Sequence, residues 1–100
     1  MRTHKSASLD KLIAMEWDNL RDLRKMLRNP ELSTGEKTRV ANAIAYHASV
    51  LNKLLSQKGE DSQFNDATLG DFIRNVDPGM RRLVRRDFKV WKRRLSLRRY

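Results

Sequence analysis

The sequence predicts an all-α fold: an antiparallel helical hairpin, a short helix, and a long basic amphipathic helix at the C-terminal end. Three observations predict it. Apolar residues recur at three-to-four spacing along most of the 100 residues, helix-start and helix-stop residues punctuate that pattern, and no stretch alternates apolar and polar residues as a strand does. The length is one domain's worth of chain, near the lower end of what buries an adequate core. Hydrophobic residues make up 39% and charged residues 34%, which leaves a generous polar surface around that core.

The first helix is expected to begin at Ser8, with residues 1–7 disordered ahead of it and Asp10 in its first turn, where an anionic side chain suits the helix dipole. Leu9, Ile13, Leu20, Leu23 and Leu27 form its stripe, flanked by Leu12 and Trp17. Asp18, Arg21, Asp22 and Lys25 form a solvated side on which charges three apart pair. Asn29-Pro30 stops the helix, because proline restricts the residue before it and donates no backbone hydrogen bond. Ser33-Thr34-Gly35-Glu36 then reads as a capping box, hydroxyl and carboxylate each satisfying an orphan amide. The second helix runs to about Lys58, with Val40, Ile44, His47, Leu51 and Leu54 as its stripe, bordered by Ala41, Ala48 and Leu55. The alanines allow close approach of another helix, and Gly59 supplies a left-handed stop. So short a connection makes the two helices antiparallel neighbours, and residues 8–59 form the hairpin.

Residues 60–67 are polar and read as a linker. Thr68-Leu69-Gly70-Asp71 is expected to cap a short helix holding Leu69, Phe72, Ile73 and Val76. Asp77-Pro78 restarts the chain as a helix, aspartate at the N-cap and proline in the first helical position. The last helix runs from Pro78 to about Leu97, and residues 68–100 belong to the same compact domain as the hairpin.

Charge is the most informative property. The chain carries 22 Lys and Arg against 12 Asp and Glu, a formal net of +10. Residues 1–80 hold 12 of the basic and 11 of the acidic side chains, so residues 81–100 hold ten basic residues and one acidic residue, Asp87. A near-neutral body with a strongly basic end is the pattern of one element meeting a polyanion. Eight of those ten are arginines, whose guanidinium groups fork onto phosphate oxygens better than an ammonium does. At 100° per residue, Met80, Val84, Phe88, Trp91 and Leu95 fall within one sector of about 80°. Arg81, Arg82, Arg85, Arg86, Lys89, Lys92, Arg93 and Arg99 fall in an adjacent sector of about 140°. One face can therefore dock on the hairpin while its neighbour stays in water.

Three uses fit that helix: presenting arginines to nucleic-acid phosphates, binding a protein partner or membrane surface, and keeping a small protein soluble. Ten cations in 20 residues repel one another, which is excessive for solubility alone. The expectation is therefore a DNA-binding accessory or architectural protein contacting mainly the phosphate backbone. Double-stranded DNA is favoured, with weak sequence selectivity, because the basic sector has no Asn or Gln to read adenine. Paired aromatics of the kind that stack RNA bases are not visible. The alternative is an adaptor subunit that attaches to a larger replication or packaging enzyme through exposed helix faces. A homodimer fits either use.

Other functions find little support. Without cysteine, disulfide frameworks, zinc fingers, thiol catalysis and iron–sulfur clusters are excluded, and His4 and His47 lie too far apart in sequence to suggest a metal site. No cofactor is expected. No apolar run approaches the roughly 20 residues that span a bilayer. Met1 to Ser8 carry positive charge with no apolar stretch behind, so no secretory signal is visible and the reading is cytoplasmic, or associated with a nucleoid or viral DNA. Asp18 and Asp22 stand one turn apart but among Arg21 and Lys25, an ion-paired surface rather than an acid–base cleft. Glu16, on the edge of the first stripe, is placed to meet Lys37 or His47. Ser8, Ser33 and Thr68 read as helix caps, and the glycines at 35, 59, 70 and 79 are too scattered for a phosphate loop. The chain is not expected to be an enzyme.

Two resemblances add to this. Asp66-Ala67-Thr68-Leu69-Gly70-Asp71-Phe72-Ile73 resembles the peptide by which replication and repair proteins dock on sliding clamps, with Leu69 and Phe72 at its aliphatic and first aromatic positions. Asp66 stands where that peptide has Gln, and Ile73 where it has a second aromatic. The resemblance makes Leu69, Phe72 and Ile73 candidate partner-binding residues; the simpler reading plugs all three into the core. Ser33-Thr34-Gly35-Glu36-Lys37 leading into Val40 and on to Leu55 resembles small helical DNA-binding proteins of phages and archaeal viruses, terminase small subunits among them. That resemblance implies DNA recognition and a multimer, with no nuclease or ATPase in this chain.

Overall fold

A computed structural model describes residues 2–61 and 63–97. They form four helices, α1 (Arg2–Leu27), α2 (Thr34–Gln57), α3 (Asp66–Phe72) and α4 (Pro78–Leu97), with no strand among the described residues. The fold is all-α, as expected. α1 begins six residues earlier than the Ser8 start, so residues 2–7 are helical backbone and not a disordered lead. Neither glycine nor proline occurs in that stretch to break the ladder.

The hairpin is antiparallel. Asp10 of α1 pairs with Lys58 just past the end of α2, and Glu16 meets His47 a little further in. The hydrogen bond to Asp10 raises the Lys58 pKa, so the small contribution of this exposed pair is present below the ordinary lysine range and lost as pH rises through the raised value. Between the helices Asn29 closes a tight turn, its Oδ1 accepting from Glu31 N at 3.0 Å. Ser33 caps α2 as expected, its Oγ accepting from Glu36 N at 3.2 Å. The Glu36 carboxylate accepts a hydrogen bond from the Ser33 hydroxyl at 2.8 Å rather than from the Ser33 amide. At the other end Gly59, at φ +86°, lets Glu60 N donate to Leu55 O and Gly59 N to Ser56 O, which satisfies the last carbonyls of α2.

α2 is the central element. It supplies Val40, Ala41, Ile44, Ala45, Ala48, Leu51 and Leu55 to the core, more than any other helix. Its buried arc is wider than the single stripe expected because it packs on two neighbours, α1 and α4. Leu54 and His47 are accordingly half-buried at the margins, while the alanines form the floor. The contacts Asn42 with Asp87, Tyr46 with Trp91 and Lys53 with Leu95 climb both helices together, so α4 runs parallel to α2.

Parallel neighbours need a crossover, and residues 58–77 make it. Asn52 of α2 holds its first part: Nδ2 donates to Phe64 O at 2.8 Å, and Oδ1 accepts from Gln63 N and Phe64 N, each at 3.1 Å. Phe64 is thereby inserted beside Trp17 of α1 and Phe72 of α3, ring centroids 5.5 Å away in each case. Arg24 of α1 lies 4.3 Å over the Phe72 ring and donates to Phe72 O at 3.4 Å. Burial, followed by the charges of Arg28 and Arg21, lowers the pKa of Arg24. With α3 also against α4, the four helices close in the order α1, α2, α4, α3.

The cap of α3 is Asn65, not Thr68. Asn65 Oδ1 accepts from Thr68 N at 2.9 Å while Thr68 Oγ1 accepts from Asn65 N at 2.8 Å, so Thr68 is the third-position partner in a reciprocal box. The linker is correspondingly shorter than 60–67. Gly70, within α3, has no positive φ, and a Cβ added there would meet nothing within 4 Å. Glycine in a helix costs about 1 kcal/mol relative to alanine, and neither backbone geometry nor crowding accounts for it. Asp77 caps α4 as expected, its Oδ2 accepting from Met80 N at 3.2 Å.

Two outcomes test this packing. Asn52→Ala strands the buried amide and carbonyl of Phe64 and is expected to cost about 2–6 kcal/mol in urea unfolding, from about 1–3 kcal/mol for each unsatisfied group. Phe88→Ala, in the α2–α4 seam, is expected to cost about 3–5 kcal/mol and to lower the thermal midpoint by more than about 10 °C.

Candidate nucleic-acid interface

The apolar lane of α4 faces inward. Val84 and Phe88 are 0% and 2% exposed, and Met80, Leu83, Trp91 and Leu95 are half-buried around them. Trp91 meets Tyr46 of α2 edge-on, centroids 4.8 Å apart. The far end of the helix is held by Lys53, whose Nζ donates to Leu95 O at 3.2 Å, a cation placed on one of the last carbonyls of α4.

The expected cationic sector lies on the outer side. Arg82, Arg85, Arg86, Lys89, Lys92 and Arg93 are exposed and Arg81 is half-buried; Arg99 lies outside the described residues. Asp87, the one carboxylate in this stretch, is on the flank toward α2, where it accepts from Asn42 Nδ2 at 3.2 Å with its side chain only 15% exposed. It leaves the side chains of the outer face of α4 uniform in sign and meets Arg86 at 3.5 Å. Lys89 meets Asp66 of α3 at 3.4 Å, a solvent-exposed pair of little energetic weight. Lys92 stands 5.9 Å from the Phe88 ring centroid, and Arg94, outside the expected sector, lies 5.3 Å over Trp91. Among the described residues Arg82 and Arg85 have no carboxylate within 4.0 Å.

The aromatic rings near this face are engaged by the protein itself, Phe88 in the core and Trp91 against Tyr46. Among the described residues the outer face thus offers charge without a stacking platform. From Arg81 to Arg93 it extends about 18 Å along the helix axis, the length of about five phosphates of one duplex strand.

Two shallow concavities lie along the seam of α3 and α4. One, of about 520 Å³, is bordered by Asn65, Asp66, Ala67, Phe88, Lys89 and Lys92. The other, of about 300 Å³, is bordered by Gly70, Pro78, Arg81, Arg82 and Arg85. Arg81 Nε is buried and finds no acceptor among the described residues. A buried donor left so costs about 1–3 kcal/mol. The arginines are visible in the sequence but this concavity is not, because it depends on α3 folding back along α4, which no local spacing encodes.

The other candidate residues fall elsewhere. Leu69 and Ile73 are fully buried and Phe72 is half-buried between Trp17, Phe64 and Arg24. The clamp-docking resemblance needs these side chains exposed; here the core has taken them, and residues 66–73 do not form a free peptide. Asp18 pairs with Arg21 at 2.7 Å on an open surface, as expected. Of the two partners expected for Glu16, His47 is the one observed, its Nδ1 donating to Oε2 at 2.6 Å. Among the described residues no cluster of three or more His, Asp or Glu side chains is placed to hold a metal ion, and no helix is long and apolar enough to cross a membrane. In comparisons with family models, curated proteins and solved structures, nothing matches this chain.

Proposed function

We propose that this protein binds double-stranded DNA through the phosphate backbone, using the outer face of α4, as an accessory or architectural factor. The observation that carries the reading is the cationic outer face of α4, with Asp87 turned aside to Asn42, Asp66 of α3 meeting Lys89 at its edge, and its apolar lane anchored in the core. A rigid helix holding about five phosphates' length of guanidinium and ammonium groups supplies affinity without a base-reading Asn or Gln. A membrane-surface helix is disfavoured on the same grounds, since it inserts its apolar side among headgroups and that side of α4 is occupied by Ile44 and its neighbours in the core. RNA duplexes present a deep, narrow major groove to such a helix, which leaves B-form DNA as the better fit.

A second reading, the adaptor subunit of a larger enzyme, draws on the opposite side of the molecule. Leu12, Met15 and Met26 of α1 are each about half exposed and lie within a sector of about 60°. An adaptor of this kind takes up no duplex by itself, which separates the two readings.

Titration of a 20-base-pair duplex followed by fluorescence anisotropy tests the proposal. Neutralising about five or six phosphates gives a log–log salt slope near −5, so affinity falls about a thousandfold between 50 and 200 mM salt. Replacing Arg82, Arg86 and Arg93 together with Glu is expected to weaken binding more than about a hundredfold with the far-UV circular dichroism unchanged. No uptake of duplex at 50 mM salt, or full affinity in the triple variant, overturns it.

A further inference from the structure

We infer that the concavity where α3 ends and α4 begins is a seat for one phosphate group, held by Arg81, Arg82 and Arg85 over Gly70 and Pro78. The seat stands on local geometry; its use as the anchoring point on a DNA backbone rests on the reading given above. Within the cationic face this place differs from the rest in four ways. Three guanidinium groups from little more than one helical turn border it, and among the described residues none of the three has a carboxylate within 4.0 Å, unlike Arg86 and Lys89. The nearest cap carboxylate, Asp77, is occupied by Met80 N. Arg81 Nε is a buried donor with no acceptor among the described residues, so turning that guanidinium toward an entering anion gives up no hydrogen bond of Nε and offers it the strongest kind of acceptor. Gly70 leaves the floor open at a point where a helix favours almost any other residue, and a side chain there would project into unfilled space.

Size agrees with the charge. About 300 Å³ equals the share of roughly ten water molecules in the liquid, room for a phosphate and part of its sugar but not for a base pair. The ligand chemistry is a phosphate mono- or diester, which a duplex backbone and a small phosphate compound both carry.

The test follows the arginine Nε–Hε and glycine amide signals of the full-length protein by ¹H–¹⁵N NMR, with inorganic phosphate in one arm and a 20-base-pair duplex in the other. Expected with phosphate is a saturable shift of Arg81 Hε and the Gly70 amide, at least threefold larger than that of Arg86 Hε. Gly70→Phe, which fills the concavity without altering charge, is expected to weaken phosphate binding tenfold or more with an unchanged thermal midpoint. Arg85→Gln, on the exposed side, gives a second variant and the same direction. In the duplex arm, Gly70→Phe lowers affinity about tenfold and reduces the magnitude of the salt slope by about 0.9, the signature of one lost phosphate contact. Shifts spread evenly along α4, or phosphate binding indifferent to Gly70→Phe, overturn the seat. A localised phosphate response without duplex uptake upholds the seat, assigns it to a small phosphate compound, and overturns the DNA reading alone.

Discussion

Burial of the Val84–Phe88–Trp91 lane of α4 against α2 is the interaction on which the rest of the architecture depends. Each fully buried side chain of that size contributes about 1.5–3 kcal/mol, and the lane is the buried apolar strip of a helix otherwise crowded with like charges. Those charges repel one another and resist any arrangement that brings them together in a low dielectric. Docking the lane turns them outward, where water screens them. A helix of this composition without such a lane has no reason to lie on the protein at all.

The parallel direction of α2 and α4 follows from where the chain must travel. A short turn joins antiparallel helices, as at Asn29 to Ser33, but returning to run alongside α2 takes residues 58–77. That segment is built as a structural element in its own right. Asn52 fixes its start with three hydrogen bonds to the backbone of Gln63 and Phe64, Phe64 and Phe72 stack it on Trp17, and Leu69, Ile73 and Val76 seal the side of the core that α2 does not reach. The concavity of Arg81, Arg82 and Arg85 arises where this segment turns into α4.

Most of the helices were legible in the sequence because their signals are local. Ser33, Gly59 and Asp77 each act on a backbone group within four residues, and the three-to-four spacing of Val84, Phe88 and Trp91 marks the buried side of α4 without knowledge of its partner. Misreadings arose where a choice depends on distant residues. Thr68 and Asn65 are both good caps, and Asn52, 13 positions before Asn65, decides by pinning Phe64 and placing the helix start one residue later. The wider buried arc of α2 depends on its having two neighbours, and the role of Asp87 depends on Asn42, 45 positions away. The cationic face was legible; the cleft at one end of it was not, since Gly70 gains meaning only once α3 is folded back along α4.

The flank position of Asp87 has a consequence for how the molecule moves in an external field. With a net of +1 over residues 1–80 and +9 over residues 81–100, the centre of charge is displaced from the centre of mass toward α4. Two of the three long helices also point the same way, so their peptide dipoles do not cancel. A molecule of this kind feels a torque as well as a pull, and turns before it touches. Near any polyanion it arrives with α4 leading, and collisions through the hairpin side become the minority.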